Sequence, residues 1–263
     1  MRYTLFAILV FLQLNLFAQS DETSQLFKKF IHVCNAYKQL PLQLTIEYKK
    51  LSNIPLDGTD STLMEGVFYV DKDAAYINFS GAEQIITDSF ALVVMKGINQ
   101  MMLSENNAAI AMQINRMINT PVMDSSIENF SNKFTILQKK SDKETGVLEI
   151  TSRKNLYSTE ITTETVTLIY DIRNNNPKKI VTVKRSLLKK PADETLPFTA
   201  ITVSVPQKGD YLIKEDVTEY VYKIITHDEN KKMPVSLSDR IEKDPFGNYV
   251  PVQTYQNYKL VLN

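Results

Sequence analysis

QIITDSFALVVMKGINQMML, from Gln84 to Leu103, is the stretch on which the reading of the fold turns. It holds a short apolar alternation, a break at Asp88-Ser89, an almost fully apolar run from Phe90 to Met95, a second break at Lys96-Gly97, and the pair Met101-Met102. Short apolar runs bounded by polar breaks are strand signals, and these are too brief for helices. Upstream, Leu63–Val70 and Ala75–Phe79 repeat the pattern, separated by Asp71-Lys72-Asp73 and followed by Ser80-Gly81. Strands linked by short polar turns predict an antiparallel meander, because parallel pairs need long crossovers.

Working outward, Leu42, Leu44, Ile46 and Tyr48 alternate with Gln43, Thr45, Glu47 and Lys49, which predicts a strand with one dry face. Before it, Leu26, Phe30, Val33 and Tyr37 recur at helical spacing, predicting a helix over Asp21–Tyr37. A second helix is predicted over Asn107–Ile118, where Ile110, Ile114, Met117 and Ile118 form an apolar stripe ended by Thr120-Pro121. β patterning then resumes at Phe134–Ile136, Val147–Ile150, Ile161–Ile172, Lys179–Leu188, Phe198–Val205 and Tyr255–Leu262. Asn174-Asn175-Asn176-Pro177 is strong turn chemistry, so Val166–Ile172 and Ile180–Leu187 are expected to pair as a hairpin. Lys231–Tyr249 reads as an extension lying over the main sheet.

The expected fold class is therefore α+β, mainly β: a curled antiparallel sheet or incomplete barrel wrapping two or three helices. The side chains expected to point inward are Phe68, Val70, Ile77, Phe79, Phe90, Leu92, Val94, Met101 and Leu103, with Ile110, Ile114 and Met117 facing them from the second helix. If the helix fills the interior these residues are core; if it only lids the interior they line a hydrophobic pocket.

The N-terminus, MRYTLFAILVFLQLNLFAQS, has Arg2, an apolar run from Leu5 to Leu12 and the small residue Ala18. That is the anatomy of a cleaved export signal, expected over residues 1–19, with a single domain over 20–263 and a C-terminal extension from about residue 207. The expected location is periplasmic or secreted, and no later stretch is apolar enough for a transmembrane helix. Thirty Lys and Arg balance thirty Asp and Glu, which argues against a nucleic-acid partner.

No catalytic residues, metal ligands or cofactor motifs stand out. Two distant histidines, His32 and His227, and one cysteine, Cys34, make a zinc site improbable. No metalloprotease, serine-hydrolase or phosphate-cradling motif is present. Asp57–Ser61 reads as a turn, and Glu215, Asp216 and Glu219 as a surface cluster. Cys34 is expected as a small buried apolar residue. The expectation is no enzyme and no cofactor.

From Gln43 to Leu103 the order "EYKK", "MEGVFYV", "AAYINFSGAEQIITDSFALVVM", "GINQMML" resembles the periplasmic lipoprotein-carrier (LolA-like) superfamily. Gly66 and Phe68 fall on its first strand element, Tyr76–Phe79 on the second, Ile85–Ser89 on its hairpin and Gln100-Met101 on the last; TLIYDIRNNNPKKIVTVKR resembles its late hairpin. The arginine and tryptophan of the second family strand are replaced by Tyr76, Ile77, Asn78 and Phe79, and the hairpin glycine by Ser89. The resemblance implies an incomplete barrel with an inner surface for acyl chains. The expected function is an exported protein binding lipid or lipoprotein acyl chains in a hydrophobic cavity, with envelope proteins as further partners. The alternative is a structural or interaction module with a filled core.

Overall fold

The computed structural model describes residues 22–35, 39–55, 60–105, 124–139, 142–157, 159–190, 201–205 and 209–262. The expected signal and the helix expected over Asn107–Ile118, with Ile110, Ile114 and Met117, lie outside them. Two helices are described, α1 (residues 22–34) and α2 (Asp124–Lys133). The strands are β1 (Leu42–Ser52), β2 (Ser61–Val70), β3 (Ala75–Phe79), β4 (Ala82–Ile86), β5 (Phe90–Met95), β6 (Gln100–Glu105), β7 (Phe134–Lys139), β8 (Thr145–Ser152), β9 (Glu164–Asp171), β10 (Pro177–Lys189), β11 (Ile201–Val205), β12 (Gly209–Thr226), β13 (Ile241–Lys243), β14 (Tyr249–Pro251) and β15 (Lys259–Leu262). The protein is mainly β, as expected. The chain divides into two compact units: Met1–Ala36, Lys50–Thr62 and Val122–Glu219 form the first, and Tyr37–Lys49, Leu63–Pro121 and Tyr220–Asn263 the second. β1 and β12 each contribute residues to both.

In the first unit the strand order is β12-β10-β9-β8-β7, with β11 on β12. The expected hairpin is β9–β10, with Ile180 opposite Leu168 and Thr182 opposite Val166. Alternation along β8 buries Gly146, Leu148, Ile150 and Ser152 and leaves the residues between them half-exposed. Phe27 and Val33 of α1 close over Ile136, Leu148, Ile150, Leu168 and Tyr170, with Cys34 at the margin. Gly146 lies directly opposite Tyr170, and its ring occupies the space a side chain would need: a Cβ would fall 2.2 Å from Tyr170 Cζ. Asn53 stands in for a strand partner of β12, accepting from the Glu215 N–H at 2.7 Å and donating to the Ile213 carbonyl at 3.0 Å.

In the second unit the order is β15-β6-β5-β4-β3-β2-β1, followed by β12. β2 to β6 form the expected meander. Its β3–β4 turn is tight because Ser80 and Gly81 both take positive φ, at 55° and 77°, which a two-residue hairpin turn requires. One pairing departs from expectation. β15 runs parallel to β6, with Leu260 opposite Met101 and Leu262 opposite Leu103. Residues 227–258 supply the crossover that a parallel neighbour needs. Tyr255–Leu262 was expected as one strand, but Gln253–Tyr255 is a 3-10 turn and only Lys259–Leu262 is extended.

Candidate functional site

Register divides the expected inward set between two faces of the second unit's sheet. Tyr69 pairs with Tyr76, Tyr76 with Ile85, Ile85 with Leu92, and Leu92 with Leu103, so these share one face. Phe68 pairs with Ile77, Ile77 with Gln84, Gln84 with Val93, and Val93 with Met102, so these share the other. Expecting Phe68, Val70, Ile77 and Phe79 beside Phe90, Leu92, Val94, Met101 and Leu103 on one surface therefore needs correction. The first four lie on one face and the last five on the opposite one. The cause is turn length. Ile86 pairs with Ala91, and Met95 with Gln100, which sets β5 and β6 one step away from the alignment that alternation alone suggests.

The face bearing Leu92 is sealed. Leu92, Val94 and Met101 have 0 % exposure and Leu103 has 1 %. Ile241, Met233, Val235, Leu237, Tyr249, Tyr255 and Tyr258 of the C-terminal segment pack against them, and Phe90 meets Tyr249 edge-on at 5.8 Å. Residues from Lys231–Tyr249 thus lie over this face. Among the described residues one ion pair anchors the cover. Glu83, fully buried, accepts two hydrogen bonds from Arg240, Nε to Oε2 at 3.0 Å and Nη2 to Oε1 at 2.7 Å. The guanidinium also lies 5.0 Å from the Tyr255 ring centre. Burial alone would raise the Glu83 carboxyl, but hydrogen bonds from Arg240 and Tyr76 and the nearby positive charge outweigh it and hold it below the ordinary range. Burial, and then its bond to Glu83, push the Tyr76 hydroxyl up to about 12.

The other face is mixed: Gly66, Ala75, Ile86 and Ala91 are buried, the last three as a small cluster against Val70, and the larger side chains around them are half-buried. Phe68, Val70, Ile77, Phe79, Val93, Met95 and Met102 all keep intermediate exposure. Gly66 has no Cβ because the rings of Phe68 and Phe79 close over it: a Cβ there would meet them at 2.7 and 2.8 Å. Phe79 meets Tyr48 edge-on at 6.1 Å, and Tyr48 meets Tyr220 at 5.2 Å, extending the apolar surface onto β1 and β12. Ile46, Tyr48 and Tyr220 were not among the expected inward residues. The alternation along Leu42–Tyr48 was the available signal for the first two. Tyr220 sits in a charged stretch with no such pattern.

A separate recess of about 420 Å³ is lined by Leu40, Pro41, Asp71, Lys72, Asp73, Ala74 and Glu229. It is polar and includes none of the expected wall residues. Among the described residues no group of His, Cys, Asp and Glu is arranged to hold a metal ion, and no helix is long and apolar enough to cross a membrane. The carboxylates expected as a surface cluster are paired in the first unit: Glu215 with Arg185 at 2.6 Å, Glu219 with Lys179 at 3.0 Å, and Asp216 with Lys214 at 3.5 Å. Burial pushes the Cys34 thiol up to about 12, so it is no nucleophile at neutral pH.

No family model matches the chain, and no curated protein matches it. Solved structures do. A LolA superfamily protein from Nitrosomonas europaea is 14 % identical with a TM-score of 0.25, over 81 % of this chain and 94 % of that one. An outer membrane lipoprotein-sorting protein domain from Vibrio parahaemolyticus is 11 % identical with a TM-score of 0.25, over 81 % and 94 %. A DUF1329 family protein from Desulfovibrio piger is 12 % identical with a TM-score of 0.27, over 80 % and 95 %. One of these structures is from the superfamily that residues 43–103 resemble. At such TM-scores the likeness carries nothing about the site.

Proposed function

We propose that this exported protein binds lipid, holding an acyl chain against the face that carries Phe68, Val70, Ile77 and Phe79. One observation supports the reading above the rest: the two faces of the same sheet are treated differently. The face with Leu92 and Met101 is closed to any ligand by the chain's own C-terminal segment, whereas on the opposite face Phe68, Ile77, Phe79, Val93 and Met102 stay half-exposed beside the buried Ala75, Ile86 and Ala91. Each methylene moved from water onto such a surface gains up to about 0.8 kcal/mol. Met95 and Met102 add soft side chains that adapt to a chain of no fixed shape. Phe90, Leu92, Val94, Met101 and Leu103 take no part in binding; their role is to anchor the cover on the far side.

The test uses the purified protein and a fluorescent fatty acid. The wild type is expected to enhance the probe's emission and to yield lipid on organic extraction. Phe79→Glu and Ile77→Glu abolish both while keeping the circular dichroism spectrum. Leu137→Glu, at a 59 % exposed position in the first unit, changes neither. A wild type that neither binds the probe nor releases lipid refutes the proposal. The second reading, an interaction module, is favoured by Phe246, 89 % exposed at the tip of the β13–β14 hairpin; Phe246→Ser leaves probe binding intact if the lipid reading is right.

A further inference from the structure

Gln84 occupies the middle of β4 on the half-buried face, with Ile77 and Val93 directly across from it. The same cross-strand row continues to Phe68 and Met102. Ala82 and Ile86, two positions away along β4, share its face. Every one of these neighbours is apolar, so a primary amide stands alone at the centre of a hydrocarbon surface. Gln84 is itself half-buried. Among the described residues its carboxamide has no hydrogen-bond partner, although the ladder on either side of it is complete.

A hydrocarbon laid over this face would strip water from the amide. Leaving such a group dry and unpaired carries a desolvation cost that offsets the gain from several methylenes. A ligand that carries its own acceptor at this depth removes that cost. We infer that Gln84 donates its Nε2 hydrogen to the carbonyl oxygen of the bound chain, so that the site selects acyl groups over alkyl chains of the same length. This rests on the acyl-binding reading and gives it a polar determinant.

Monopalmitoylglycerol and its ether analogue hexadecylglycerol differ at the linkage by one carbonyl oxygen, and displacement of the fluorescent fatty acid reads both. The wild type is expected to bind the ester about five- to ten-fold more tightly than the ether, the worth of one neutral hydrogen bond. Gln84→Leu erases the preference while still binding both ligands. Gln84→Glu, whose carboxylate only accepts, inverts it in favour of the ether. Equal wild-type affinity for the two compounds overturns the inference and leaves the acyl-binding proposal standing. A preference that survives in Gln84→Leu overturns it equally. Failure of both compounds to displace the probe from the wild type refutes the broader proposal, and this inference with it.

Discussion

Replacing Arg240 by alanine removes both hydrogen bonds to Glu83, at 3.0 and 2.7 Å, and the ring contact with Tyr255. Glu83 has 0 % exposure, so its carboxylate is left charged in a dry site. Breaking a buried pair from one side costs about 3–5 kcal/mol, and the lost cation–ring contact adds about 0.5–1 kcal/mol. Arg240→Ala should therefore lose about 3.5–6 kcal/mol at pH 7 in urea unfolding followed by circular dichroism. The double variant Glu83→Met/Arg240→Met removes both charges and should recover most of that, because a hydrophobic replacement for a buried pair is often neutral. The pH dependence has a definite sign. Glu83 titrates below its ordinary value in the folded wild type, so its stabilisation is complete above the unfolded value of about 4.3 and fades as pH falls through the folded one. In Arg240→Ala the same carboxyl keeps the burial and loses the partner, so its affinity for a proton rises and acidification from pH 7 to pH 5 stabilises that variant. A loss below about 1 kcal/mol at pH 7, or a double variant as unstable as the single one, would show that the pair does not hold the cover in place.

Three further outcomes follow from particular contacts. Gly146→Ala sets a methyl group 2.2 Å from Tyr170 Cζ and should cost about 1–3 kcal/mol by thermal unfolding, with Tyr170→Val in the same chain restoring most of it. Asp171, bonded to the Arg173 side chain and backbone, is held down to about 2; an NMR titration should find its midpoint there, and the support it gives the β9–β10 turn, present above about pH 4, is lost as pH falls toward that value. Cys34 should resist a thiol reagent at pH 8 in the native protein and react fully in denaturant; rapid native labelling would contradict its place beside α1's core.

Alternation within each strand was readable because a sheet packed on one side repeats every two residues. β3, β4 and β5 appear within a residue or two of where the pattern puts them. Which strands share a face was not readable, since that depends on how many residues each turn consumes. Thr87-Asp88-Ser89 shifts Leu92 into the row of Ile85 rather than Ile86. β12 was largely missed for a different reason. DYLIKEDVTEYVYKIIT offers charges where alternation needs apolar residues, and those charges are matched by ion pairs to Arg185, Lys179 and Glu47, none of them near in sequence. Glu83 and Gln84 sat in view as polar residues inside an apolar run. Only the register shows that one faces Arg240 across a closed core while the other stands among half-buried hydrocarbon.

Glu83 and Arg240 lie 157 residues apart. A ribosome adding about 5–20 residues each second finishes the meander many seconds before it makes its counter-ion. Throughout that interval the surface carrying Leu92 and Met101 is bare, with an uncompensated acid in its midst, and a chain truncated ahead of Arg240 is expected to aggregate.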